Sequence, residues 1–261
     1  MKRRIELFLS LALALSLSVG AYQAYDSWRG AQAGAEAFQT AGLNKKEGAE
    51  IGPVPLPEPP AAAEPLPAEA AHLGDVDLAA LQAVNEDVVG WLEIPGTELS
   101  YPLVQGPDNQ YYLNHNWKKE RSGGGAVFLE QTNSRDLTGF HLIAYAHRMN
   151  NDTMFGTLKY YHDGAFCREH PSIYLAAADG VRRYDIFSAH KASVRGLVYR
   201  LDLEESGLEE DFIRSCLANS EIETGVEPEA GAQVLTLSTC TGEGYESRWV
   251  VQGVLAQVYE S

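Results

Sequence analysis

Apolar and polar positions divide the chain into three stretches of different pattern. From Ile5 to about Tyr25 the residues are almost continuously apolar, broken only by Glu6, Gln23 and several serines. That length matches roughly one bilayer crossing of ~20 residues. Residues 26–43 are rich in Ala, Gln and Gly and predict a weak helical extension. Residues 48–71 are dominated by Pro, Ala and Glu, including Gly52-Pro53-Val54-Pro55-Leu56-Pro57-Glu58-Pro59-Pro60. A segment of that kind has no core of its own and favours extended, polyproline-type spacing. From Asp75 the pattern becomes that of a folded domain. Asp75 or Asp77 is placed to cap a short amphipathic helix through Leu78, Leu81 and Val84. Strand-like runs then follow at Val88–Ile94, Leu99–Val104, Ala126–Leu129, Phe140–His147, Ser172–Ala176, Arg183–Ala189, Gln233–Leu237 and Arg248–Val258, separated by turn residues such as Pro95-Gly96 and Gly123-Gly124-Gly125. Helical spacing interrupts them near Met154–Tyr161 and Leu208–Ala218. The fold expected is mainly β with short helices, a closed or half-closed barrel. The domains expected are an N-terminal membrane anchor at 1–25, a helical extension and Pro/Ala/Glu-rich spacer at 26–74, and a folded domain at 75–261, with about 185 residues to build a core.

Charge decides the topology of the first stretch. Lys2, Arg3 and Arg4 precede the apolar run, and a basic flank stays on the cytoplasmic side. The expectation is a single-pass protein of the cell membrane with its folded domain outside. A cleaved signal peptide, with small residues at Ser18, Gly20 and Ala21, is the competing reading; both place the remainder outside the cytoplasm. The formal net charge of −16 offers no basic face for nucleic acid. The three cysteines, Cys167, Cys216 and Cys240, are an odd number, so at least one thiol is free or pairs with another chain. Cys167 and Cys216 are open between a disulfide and two buried thiols. No C-x-x-C and no Cys/His cluster at zinc spacing occurs; no metal and no cofactor is expected.

One cysteine stands where chemistry is performed. Val234-Leu235-Thr236-Leu237-Ser238-Thr239-Cys240 reads as a β-prone run that gives way to Thr241-Gly242-Glu243-Gly244. Cys240 is thereby set at a strand end beside a loop, the partly exposed setting of reactive thiols near a cation or base. His147 terminates another run, ahead of Arg148-Met149-Asn150-Asn151-Asp152, and Arg248 opens the last one. A Cys–His pair supplies a nucleophile and a proton carrier for acyl transfer, and an arginine supplies donors for an oxyanion. His115, His141, His162, His170 and His190 are expected to be structural or surface residues. His141 shares a strand face with His147 but lies about 20 Å of strand away. Core or turn packing is expected for Tyr111, Tyr112 and Trp117, and Glu209-Glu210-Asp211 suits the first turn of a helix.

These residues carry a resemblance to the sortase family, class B, the membrane-anchored cysteine transpeptidases of Gram-positive bacteria. The resemblance rests on Thr236-Leu237-Ser238-Thr239-Cys240 with Arg248 eight positions on, and on Tyr145-Ala146-His147-Arg148-Met149 followed by Met154-Phe155-Gly156-Thr157-Leu158. The stretches Asn85–Thr97, Tyr101–Gln105 and Asp108–Leu113 agree with it as well. It implies an eight-stranded sortase β-barrel with class B helical insertions and a catalytic trio of His147, Cys240 and Arg248. Asn109, Leu113, Tyr199 and Ser238 are implied substrate-binding residues. The implied reaction cleaves a C-terminal sorting signal of surface proteins through a thioacyl-enzyme and passes the acyl group to a cell-wall peptide amine or a pilin lysine. A pilin polymerase, a hydrolytic cysteine peptidase and a non-catalytic anchored wall-binding module are the alternatives. The sequence departs from the family's usual Tyr-Gly-His at Ala146, a substitution tolerated where φ is negative.

Overall fold

The computed structural model describes residues 65–242 and 244–260. The anchor expected at 1–25 and the part of the spacer up to 64 lie outside the described residues. Among the described residues no helix is long and apolar enough to cross a membrane.

Eight strands form where the pattern predicts them: β1 (Val88–Glu93), β2 (Ser100–Val104), β3 (Val127–Leu129), β4 (His141–Tyr145), β5 (Ser172–Ala177), β6 (Gly180–Ser193), β7 (Val234–Cys240) and β8 (Ser247–Tyr259). They close into a barrel in the order β1-β2-β3-β4-β7-β8-β6-β5. Neighbours are antiparallel except β2 with β3 and β4 with β7. A parallel pair requires a crossover connection. The β2–β3 connection provides one, and the β6–β7 connection, which passes β8 to bring β7 alongside β4, carries helices.

The barrel interior is filled by Leu92, Leu103, Leu142, Leu175, Leu235 and Val251 among others. Two further apolar clusters cover parts of its outer face. In one, Leu73 and Leu81 pack on Val88, Trp91, Val181 and Tyr259. In the other, Phe212 and Cys216 pack on Phe140, Phe187, Val234 and Val250. Strands covered on both faces bury both sets of side chains, so all six residues of β1 are buried. A β-bulge between Val88 and Gly90 inserts one residue and returns Val88 and Trp91 to the same outer cluster.

Among the described residues four α-helices decorate the barrel: α1 (Leu78–Val84), α2 (Gly164–Glu169), α3 (Leu203–Ser206) and α4 (Glu209–Asn219). Asp77 caps α1, its carboxylate accepting from Ala80 N at 2.9 Å. The first turn of α4 carries Glu209, Glu210 and Asp211. The insertion predicted near Met154–Tyr161 is a 3-10 helix at Gly156–His162. Its entry is tight, because a Cβ on Gly156 would collide with Met149 O. The run ending at His147 departs from expectation, because β4 stops at Tyr145. The run predicted at Arg183–Ala189 extends to fourteen residues, because β8 pairs with it along its length.

Candidate active site

Strand register assembles the three residues that the sequence singles out. In the parallel β4/β7 ladder Tyr145 is opposite Ser238. Ala146 N continues the contact by donating to Ser238 O at 3.4 Å, and Thr239 Oγ1 donates to Ala146 O at 2.8 Å. His147 follows two residues after the last ladder pair on one side, and Cys240 two residues after it on the other. On the other side of β7 the antiparallel ladder pairs Cys240 with Arg248. The rim of the barrel, where neighbouring strands run about 4.8 Å apart, thus carries a row of three: Cys240 and Arg248 as ladder partners, and His147 on the segment that leaves β4 beside them. Residues opposite one another in a ladder share a sheet face.

The environments differ along this row. All three cysteines are free, and Cys240 alone is exposed; Cys167 and Cys216 are buried. The disulfide alternative is thus settled in favour of two separate thiols. Burial pushes the Cys216 thiol up to about 12 and raises that of Cys167, which leaves both inert at neutral pH. His147 is half-buried, and its Nε2 lies 2.7 Å from Leu113 O. A carbonyl oxygen only accepts, so Nε2 carries the proton and Nδ1 is the basic nitrogen of the neutral ring. The histidine backbone is held too, since Phe155 N donates to His147 O at 3.0 Å. Arg248 directs Nη1 to Tyr245 O at 3.0 Å and Ser247 O at 2.9 Å. Those bonds pin its guanidinium to the β7–β8 loop.

Beside this row runs a wall of polar side chains. The Tyr199 hydroxyl meets Ser238 Oγ at 2.7 Å. Burial pushes the Tyr199 phenol up to about 12, opposed by its bond to Ser238 and by Arg248, with a small upward push from Cys240; it is within electrostatic reach of both. Asn109 Nδ2 donates to Glu130 Oε2 at 2.6 Å, and its Oδ1 accepts from Gln131 N at 2.9 Å. Leu113 contributes the carbonyl that orients His147, while its side chain stays exposed. Leu113 from the β2–β3 connection and Tyr199 from the β6–β7 connection thus border the row, with Ser238 on β7 bonded to Tyr199, whereas Asn109 is linked to it only through Glu130 and Tyr145.

Three participants were not assigned a role from the sequence. Tyr145 donates to Glu130 Oε2 at 2.9 Å, and burial together with Glu130 raises its pKa. It is the last residue of β4, two residues before His147, a spacing visible in the sequence. Glu130, just past β3, gives no such signal. Arg148 Nη1 donates to Thr241 O at 2.5 Å, which ties the residue after His147 to the residue after Cys240.

His115, His141, His162, His170 and His190 are structural or surface residues, as expected. His141 is buried with Nε2 2.8 Å from Thr236 Oγ1 and its ring against Phe212. Burial pulls its pKa down to about 3, and that of His190 down to about 4. His162 pairs with Glu221, His170 with Pro95 O, and His115 stacks on Tyr111. Tyr112 and Trp117 are core residues. Among the described residues no group of His, Cys, Asp and Glu is arranged to hold a metal ion.

Comparison with known proteins agrees with this fold. The sortase domain family model matches residues 92–256. Sortase B of Listeria monocytogenes is 33% identical over 183 residues, covering 69% of this chain and 74% of that protein. The structure of a Staphylococcus aureus sortase B–substrate complex superposes with a TM-score of 0.65 at 29% identity, covering 69% of this chain and 84% of that one. A sortase B complexed with triglycine superposes with a TM-score of 0.62 at 27% identity, covering 69% and 86%.

Proposed function

Since this chain belongs to the sortase family, a family of cysteine transpeptidases, we propose that Cys240 is its nucleophile, His147 its proton carrier and Arg248 its oxyanion donor. The observation that carries this reading is the pairing of Cys240, the one exposed thiol, with Arg248 across β7 and β8, beside the end of β4 that leads into His147.

The reaction proceeds in two halves. The Cys240 proton passes to His147 Nδ1, and the sulfur attacks the carbonyl carbon of the scissile peptide bond of a sorting signal. As the C–N bond breaks, His147 returns the proton to the departing amine, leaving a thioacyl-enzyme. An incoming amine then attacks the thioester, His147 Nδ1 accepts its proton, and the thiolate leaves as the new amide forms. Arg248 has five N–H donors, and its bonds to the Tyr245 and Ser247 carbonyls involve Nη1. Nε and Nη2 are the donors for the carbonyl oxygen as it gains charge. The bond to Leu113 O keeps Nδ1 as the basic nitrogen throughout.

The donor is a surface protein with a C-terminal sorting signal, and the substrate complex of the Staphylococcus aureus relative supports a peptide groove beside Cys240. The acceptor is a cell-wall amine; the triglycine complex of a relative supports an amine of that size. The basic residues Lys2, Arg3 and Arg4 and the apolar run behind them support a membrane anchor that holds the catalytic domain on the extracellular side. Incubating the full-length chain in detergent with a library of quenched fluorogenic sorting peptides, with and without triglycine, tests the reading. Amide product that requires triglycine and disappears in Cys240→Ala is expected. Hydrolysis alone would identify a peptidase, and turnover retained in Cys240→Ala would refute the nucleophile.

A further inference from the structure

Just past the end of β3, a buried carboxylate gathers two residues of the polar wall. Glu130 is 5% exposed. Its Oε2 accepts from Asn109 Nδ2 at 2.6 Å and from the Tyr145 hydroxyl at 2.9 Å. Its Oε1 accepts from Thr132 Oγ1 at 3.3 Å and Thr132 N at 3.4 Å. Its backbone is fixed as well: Glu130 N donates to Ile143 O at 2.8 Å, and Glu130 O accepts from Gln105 Nε2 at 3.0 Å. Withdrawing a carboxylate from water is costly unless donors replace the lost hydration, and this one has them.

The consequence is directional. An ionised carboxylate only accepts, so the Tyr145 proton points to Glu130 and the phenol oxygen keeps its lone pairs for a neighbour. The Asn109 amide is likewise fixed at both ends, by Glu130 and by Gln131 N. Tyr145 is opposite Ser238 in the β4/β7 ladder, and Ser238 is bonded to Tyr199. The five side chains Asn109, Glu130, Tyr145, Ser238 and Tyr199 form a polar line alongside the His147–Cys240–Arg248 row.

We propose that Glu130 is a positioning residue for the donor peptide: its carboxylate sets the Asn109 amide and the Tyr145 hydroxyl in the orientation that docks the peptide beside Cys240. It acts through those two side chains and touches no reacting atom. The proposal rests on the acyl-transfer reading above.

The test uses full-length wild type, Glu130→Gln, Tyr145→Phe and the double variant in detergent. The probe is the best wild-type substrate from a positional-scanning library of quenched fluorogenic pentapeptides, with triglycine as acceptor. Glu130→Gln turns one acceptor into a donor at unchanged size. KM is expected to rise about 10-fold, the loss of one charge-assisted hydrogen bond. The kcat and the rate of Cys240 alkylation by iodoacetamide should stay within about twofold of wild type, as a loss of uniform binding requires. A purely structural role would lower Tm and leave KM alone. Tyr145→Phe keeps the packing on Phe128 and is expected to raise KM similarly. A wild-type KM in Tyr145→Phe overturns the proposal however Glu130→Gln folds. The double variant should be no worse than the poorer single variant, and fully additive losses would show that the two act separately. Absent or triglycine-independent turnover in the wild-type arm would instead refute the acyl-transfer reading, and the assignment of Glu130 would fall with it.

Discussion

Replacing Arg248 by lysine isolates the electrostatic part of the proposed mechanism. The two side chains carry the same charge, but the guanidinium has five N–H donors in a planar fork and the ammonium three around one point. In the structure Nη1 is committed to Tyr245 O at 3.0 Å and Ser247 O at 2.9 Å. A lysine nitrogen that satisfies these carbonyls has no second arm to extend toward Cys240. The variant therefore retains the positive charge and the loop contact while losing the oxyanion donor. Removal of one such donor costs roughly 100- to 1000-fold in kcat. The stability change is small, about 1 kcal/mol or less, because Arg248 is only half-buried and the bonds lost are to loop carbonyls. The measurement is single-turnover acylation by a fluorogenic peptide, alongside alkylation of Cys240 by iodoacetamide. Acylation should fall by two to three orders of magnitude while alkylation, which develops no oxyanion, stays near wild type. Acylation within about fivefold of wild type would make Arg248 a structural residue and refute the reasoning. An equal fall in both rates would show that the arginine acts on the thiol instead.

Two predictions concern the rest of the molecule. Ellman titration of the native protein should count one reactive thiol and titration in denaturant three, because Cys240 alone is exposed and burial raises the other two thiols; three native thiols would mean the β6–β7 cover is open. Stability should fall on acidification below the ordinary histidine range. His141 and His190 are held down to about 3 and about 4 by burial, so below pH 6.5 the unfolded chain binds protons that the native fold refuses. Each then costs about 1.4 kcal/mol per pH unit until its native pKa is reached. At pH 5.5 the pair should cost roughly 2–3 kcal/mol in urea unfolding, and a His141→Gln variant should lose about half of that pH slope; an unchanged slope would contradict the assignment of a buried neutral ring.

Much of the fold was legible because strand length, apolar runs and turn residues are local properties. The run Val234–Leu237 and its exit at Thr241-Gly242 mark β7 and its end without reference to any partner. Likewise Asp77 announces α1 by its type and position. The helices α2 and α3, of six and four residues, were not legible, because elements that short owe their existence to the surface they cover and not to a repeat. Helical type at Gly156–His162 was beyond local reading for the same reason.

The candidate site divides along the same line. Residue type and placement at the ends of apolar runs nominated Cys240, His147 and Arg248 before any contact was known. Their convergence is a matter of register. Residues 240 and 248 are partners, with 147 leaving β4 beside them, only because β4 runs parallel to β7 and β8 returns antiparallel beside it. A shift of one residue in either ladder would turn a side chain to the opposite face. Which strands pair, and at what offset, depends on packing across the whole barrel, and so does the burial that makes Glu130 a collector of donors from separate segments of the chain. Chemical capacity is written along the chain, one residue at a time. The arrangement that lets it act arises from hydrogen bonds between strands that the chain order keeps apart.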